Sequence, residues 1–275
     1  MEPNASGYGQ RGTTYTAHRA TSPPRGDGRL DAPPWPTAAR TPRFVDLLTG
    51  QPAPLDTTAA VVWDDDALFI GFWAADPQVT ATMTERDSLL FYENDLEVFV
   101  DGGDSYYELE LNALGTVYEV FYIWRDAFSP GSRWDVPRFD VHHPRVHSFA
   151  GDRGPGPASF WAGDHPRGTR WAYLDYDLAG LQVAVHVDGV LNDTSVVDRG
   201  WTAEVRIPWA GLADLAHGRS LPPQEGDEWL LFLGRFQRFA TRTPGETMAA
   251  GWAANAHGVN DTHLPESFTR VTFAR

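Results

Sequence analysis

The sequence predicts an all-β protein, an antiparallel β-sandwich of about ten strands. Three observations carry this expectation. Short runs of β-branched and aromatic residues alternate with polar ones and are bounded by Gly, Pro, Asn and Asp. Consecutive runs are spaced as hairpins, the pattern of a sandwich rather than of βαβ units. Few segments show a helical apolar period, and none approaches the roughly 18–20 apolar residues of a membrane span.

Taken in order, residues 1–12 read as a disordered tail and 13–20 as a first strand, before the turn-rich "SPPRGDGRLDAPPWP". "AAVVWDDDALFIGFWAAD" (59–76) reads as a hairpin with Asp64, Asp65 and Asp66 at its turn. "YENDLEVFVDGGDSYYELELN" (92–112) reads as two strands around a Gly-Gly loop, followed by "TVYEVFYIW" (116–124). Later strands are 181–189, 200–209, 228–238 and 268–274, with short helices near 80–91 and 209–216. Residues 126–178 break the pattern. This Gly-, Pro- and His-rich stretch carries Trp134, Phe139, Phe149, Phe160, Trp161, Trp171 and Tyr173, too many aromatics for a plain linker. The expected organisation is one sandwich over 13–275, with 126–178 packed over it.

Composition narrows the function. With 42% hydrophobic and 13% aromatic residues, the chain can build a large core, and its net charge of −15 disfavours nucleic acid or anionic membrane as a partner. All basic residues are arginine, which excludes Schiff-base, pyridoxal-phosphate and P-loop lysines. No cysteine is present, so thiolate chemistry and disulfides are excluded. Haem ligation by a Met/His pair is not expected, because Met1, Met83 and Met248 lie in no obvious ligand loop; neither NAD nor PLP is expected. Without a visible signal peptide the chain as written reads as cytoplasmic, and as extracellular if a leader has been trimmed.

The strand pair 92–112 concentrates the polar chemistry. Period-two alternation puts Leu96, Val98 and Val100 on one face and Glu97 and Phe99 on the other. Antiparallel pairing brings Glu97 within reach of Glu110 and Asn112, with Tyr92 at the strand entrance. Fixed carboxylates and amides suit hydroxyl recognition, and a tyrosine ring offers a flat face to sugar C–H groups.

Several stretches resemble the carbohydrate-binding module family 9-like proteins, a DOMON-type β-sandwich family. They are "DGRLDAPPW" (27–35), "VVWDDDALFIGF" (61–72), residues 84–119, "AVHVDGVLND" (184–193), "DRGWTAEVRIPW" (198–209), "GDEWLLFLGRFQR" (226–238) and "THLPESFTRVTF" (262–273), in the family's order. The resemblance implies non-catalytic binding of a carbohydrate or similar polyhydroxylated small molecule. Tyr92 then corresponds to one clamping aromatic, Glu97 to the strand glutamate and Asn112 to an asparagine of the next strand. Glu110 stands where the family has arginine. The second aromatic would fall in "ANAHGVND" (254–261), which offers His257 and Asn260 instead.

Other chemistries stay open. Asp95, Asp101 and Asp104 around the "DGGD" loop offer oxygen ligands for a structural calcium, which members of the family carry. "HHPRVH" (142–147) with Asp140 and His165 offers a zinc set. An enzyme acting on a small metabolite would use Glu97 and Glu110, or the histidines of 126–178, as acid and base.

Overall fold

The computed structural model describes residues 12–149, 165–243 and 246–275. Fourteen strands form among them: β1 (Thr14–Arg19), β2 (Val45–Asp46), β3 (Thr57–Trp63), β4 (Ala67–Ala75), β5 (Asp95–Asp101), β6 (Ser105–Leu111), β7 (Val117–Trp124), β8 (Val146–Phe149), β9 (Arg170–Tyr173), β10 (Gln182–Asp188), β11 (Gly200–Pro208), β12 (Glu228–Ala240), β13 (Thr247–Ala253) and β14 (Thr269–Ala274). The expected sandwich is present, with more strands than the alternation alone revealed. It is not wholly antiparallel, because β1 runs parallel to both neighbours, β14 and β3.

One layer runs β10-β11-β4-β3-β1-β14 and the other β12-β5-β6-β7-β9-β8, with β13 and β2 beside β12. The thirteen-residue β12 joins the layers: its start pairs with β14, its middle with β5 and its end with β13. Between the layers lies one core. Val61, Ile70, Phe72, Ala203 and Val205 face Leu96, Val98, Leu109, Phe121 and Leu231 there. The tryptophans at 35, 63, 201 and 209 are all buried. Rings of this kind bury roughly 150–250 Å² each, worth several kcal/mol at about 25 cal/mol per Å².

Strands β5, β6 and β7 are buried along their whole length, on both faces. Their outer face carries a second cluster, in which Phe99, Tyr106, Tyr122 and Trp124 meet Phe232, Phe236, Phe268 and Leu90. The segments around residues 83–93 and 255–268 therefore cover a face that an ordinary sandwich leaves to water. Acids on that face are held in an enclosed environment.

The segment 126–178 also departs from expectation. Where described, it contributes β8 and β9, which pair with each other and extend the second layer beyond β7. Trp134, Phe139 and Tyr173 from the same segment pack into the central core. Phe160 and Trp161 lie outside the described residues. Of the expected helices, 209–216 forms a short helical turn, while the 80–91 region gives only a single 3₁₀ turn at Leu90–Tyr92.

Gly234 marks how tightly this face is packed. A Cβ there would lie 2.3 Å from Cε1 of Phe232, whose ring is itself wedged against Phe99, Phe268 and His257. Gly234→Ala is expected to cost about 1–3 kcal/mol of folding stability, measured by urea denaturation, because the ring has nowhere to turn.

Candidate functional site

Strand register builds the site. Across β12, β5, β6 and β7, one row reads Gly234, Glu97, Glu110, Tyr118, and the next reads Phe232, Phe99, Glu108, Val120. Glu97 and Glu110 are thus direct cross-strand neighbours, as the alternation predicts. Asp95 lies one step further along β5, opposite Phe236. All four acids, Asp95, Glu97, Glu108 and Glu110, are buried.

Their surroundings differ. Glu108 accepts a hydrogen bond of 2.6 Å from the Tyr122 hydroxyl, and Asp95 accepts one of 3.2 Å from the Phe236 N–H. No protein N–H or O–H donates to either oxygen of Glu97 or of Glu110. Burial holds Asp95, Glu97 and Glu110 well above the usual carboxylate range, and their mutual repulsion adds to it. Burial also pushes Glu108 up, to about 7, against the lowering effect of its bond from Tyr122. Glu110, which has no donor of its own, therefore holds its proton more firmly than Glu108.

Above Glu108 and Glu110 opens a cleft of about 510 Å³. Its walls are the rings of Phe91, Tyr92, Tyr118, Tyr122 and Phe149, with Arg238 and His263 at its sides. Tyr92 is 60% exposed and leans on Phe91, with ring centroids 4.7 Å apart. Arg238 anchors that wall by donating to the Phe91 carbonyl at 2.8 Å. Among the described residues the Tyr118 hydroxyl has no hydrogen-bond partner, so it is free to meet a ligand. His263 is buried beside Tyr106 and Tyr122; burial, reinforced by Arg170, holds its ring far below the usual histidine range and therefore neutral. Arg170 in turn donates to the His263 carbonyl at 2.9 Å and lies 4.5 Å from the Trp124 ring centroid.

The sequence-predicted residues divide three ways. Tyr92 and Glu110 line the cleft, and Glu97 lies beneath it, next to Glu110. Asn112 is buried, and its amide is engaged locally with Glu93, the Met83 carbonyl and the backbone of Leu114 and Thr116. His257 and Asn260 do not line the cleft; His257 bonds to the Asp261 carbonyl at 2.8 Å and packs on Phe232.

The metal candidates rearrange likewise. Asp104 is paired with Arg133 and bonded by Trp134, and Asp101 accepts from Gly103 N–H and faces Arg219. Neither joins Asp95 in a common ligand set. Among the described residues, the group whose oxygens lie within 4.8 Å of one another is Asp95, Glu97 and Glu110. The histidines of the expected zinc set do not converge: His143 faces Asp175, His165 contacts Glu266, and His147 reaches the cleft edge.

Sequence reasoning missed Tyr118, Tyr122, Phe149, Arg238 and His263. The first two lie in "TVYEVFYIW", a run too continuously apolar to show which side faces outward. A wider cleft of about 680 Å³ lies on the outer face of the other layer, near Arg29, Arg40 and His186. Of its two tryptophans, Trp201 is buried in the core and Trp73 is covered by the Arg40 guanidinium at 3.7 Å.

No family model matches the chain, and no curated protein matches it. Solved structures do. A Bacteroides uniformis protein provisionally described as carbohydrate-binding aligns over 95% of this chain and 99% of its own, with a TM-score of 0.55 and 12% identity. A carbohydrate-binding module family 9 from Caldicellulosiruptor kristjanssonii in complex with cellotriose aligns over 94% of each chain, with a TM-score of 0.51 and 11% identity. The glucose complex of a family 9 module from the same organism aligns over 95% of this chain and 97% of its own, with a TM-score of 0.50 and 11% identity. At such identities the likeness is one of fold.

Proposed function

We propose that the protein binds a carbohydrate or similar polyhydroxylated small molecule in the cleft above Glu108 and Glu110. The observation that carries this reading is the combination of aromatic walls with a carboxyl-lined floor on rigid strands. Sugar rings present flat apolar C–H faces and a rim of hydroxyls. Stacking on Tyr92 and Phe91 suits the first, and hydrogen bonds to Glu108, Glu110 and Tyr118 suit the second. Phe149, from β8, stands in for the second clamping aromatic that the 254–261 stretch lacks. That the structural neighbours include family 9 modules holding cellotriose and glucose supports the same ligand class.

Isothermal titration against a panel of mono- and disaccharides tests the reading, with heat expected for at least one sugar. Tyr92→Ala is expected to weaken that sugar about 5–10-fold while leaving Tm unchanged, since the ring is exposed. Absence of heat with every sugar would remove the ligand class. An unchanged affinity in Tyr92→Ala would remove the stacking wall.

A further inference from the structure

Beneath the cleft floor, the buried acids lack the partners that buried charges require. Glu97 is fully buried with neither oxygen bonded, and every charge acting on it, from Asp95, Glu108 and Asp261, is negative. Glu110 is in the same position, surrounded by Asp95, Glu108 and Glu97. The cations that reach this group act at its margins, Arg238 and Arg235 on Asp95 and Arg170 on Glu108. An ionised carboxylate taken out of water without a partner costs several kcal/mol, so such a group keeps its protons or coordinates a cation.

The geometry fits the second state. One oxygen each from Asp95, Glu97 and Glu110 lies within 4.8 Å of the others. Oxygens on opposite sides of a calcium ion, at 2.3–2.6 Å from it, are separated by roughly 4.6–5.2 Å. Asp95 also keeps one oxygen, Oδ2, buried and unbonded, while its other oxygen takes the Phe236 N–H. Five carboxylate oxygens are thus buried without a protein donor, two on Glu97, two on Glu110 and one on Asp95.

We propose that Asp95, Glu97 and Glu110 bind one divalent, oxygen-preferring cation of the calcium class between β5 and β6, below the ligand cleft. An all-carboxylate donor set without sulfur or imidazole selects a hard ion. Calcium accepts bidentate carboxylates and six to eight oxygens, whereas magnesium retains a water shell for which a fully buried site has little room. Binding displaces the protons that the metal-free acids carry. The ion would enter from the cleft, which Glu110 lines. This site is distinct from the Asp101 and Asp104 turn, whose carboxylates already face Arg219 and Arg133. It does not depend on the sugar reading.

The test is calorimetric titration of EDTA-treated, dialysed protein with CaCl2, with MgCl2 and MnCl2 in parallel, alongside thermal unfolding and proton release in weak buffer near pH 7. The expected result is one calcium per chain, released protons, and a Tm rise of roughly 5–10 °C at a hundredfold excess over Kd. The isosteric double variant Glu97→Gln/Glu110→Gln is expected to fold and to lose the rise. Absence of bound ion and of any Tm change with all three metals in the wild-type protein would overturn the proposal. So would a rise of equal size in the double variant, which would place the ion elsewhere. Should the double variant not fold, the wild-type stoichiometry and proton release decide by themselves.

Discussion

Arg235→Leu is expected to cost about 3–5 kcal/mol of folding stability, the range for removing one partner of a buried ion pair. Arg235 lies wholly inside the protein on β12 and bonds the buried Asp76 carboxylate at 3.1 Å, just beyond the end of β4. Its other bonds reach the Thr57 hydroxyl at 3.1 Å, the Ala75 carbonyl at 2.8 Å and the Gln237 side chain at 2.8 Å. One guanidinium therefore ties the second layer to the open end of the β3–β4 hairpin in the first. Burial lowers its pKa to about 10, which still leaves it charged at neutral pH. Leucine would fill much of the space but strand Asp76, whose own carboxyl burial already pushes up. Removing both charges, as in Arg235→Leu/Asp76→Leu, should restore a large part of the loss, because no unpaired ion remains. Urea denaturation of the two variants checks this. A single-variant cost below about 1 kcal/mol would show that the pair is not what holds the layers here.

The fold was legible wherever a strand obeys a simple alternation. Residues 59–76 and 92–112 announce their hairpins because apolar and polar positions alternate around turn residues, and both form as expected. β13 was not legible, because "TMAAGWA" offers small residues with little β preference; it is fixed by pairing with the end of β12. β8 and β9 were hidden by the Pro and Gly content of 126–178, and their register comes from β7. The alternation of Leu231, Leu233, Arg235 and Gln237 did carry a warning. Two polar residues occupy inward positions of a core strand, a pattern that requires a buried network.

Half of the site could be read in one dimension and half could not. Glu97 and Glu110 face one another because strand pairing is a short-range rule, and two residues on a hairpin suffice to apply it. The cleft walls obey no such rule: Phe91, Phe149, Arg238 and His263 are brought together only by the packing of distant segments over the outer face. Asn112 shows the opposite failure. Its position matches a hydroxyl-binding role, but the turn after β6 claims its amide for Leu114 and Thr116.

His257 provides a pH-dependent prediction that isolates one buried group. Its ring is enclosed by Phe232 and Phe268, one nitrogen pairs with the Asp261 carbonyl, and burial lowers its pKa from 6.5 to about 4 despite the opposing pull of Glu266. A histidine with a depressed folded pKa contributes stability that is complete above the unfolded value and is lost as pH falls through the folded one. The window therefore runs from about 6.5 down to about 4, and the gap is worth about 3 kcal/mol at its acid end. The buried carboxyls work in the reverse sense, since raised folded values make them more favourable as pH falls, so the curve of the whole protein mixes the two. Comparison with His257→Asn, which keeps a donor for the Asp261 carbonyl but does not titrate, cancels the carboxyl contribution. Between about pH 7.5 and 4 the wild-type protein is expected to lose about 3 kcal/mol relative to the variant, read from urea midpoints at each pH. Parallel curves would mean that His257 takes up its proton in the folded state, and that the aromatic enclosure between Phe232 and Phe268 opens to water.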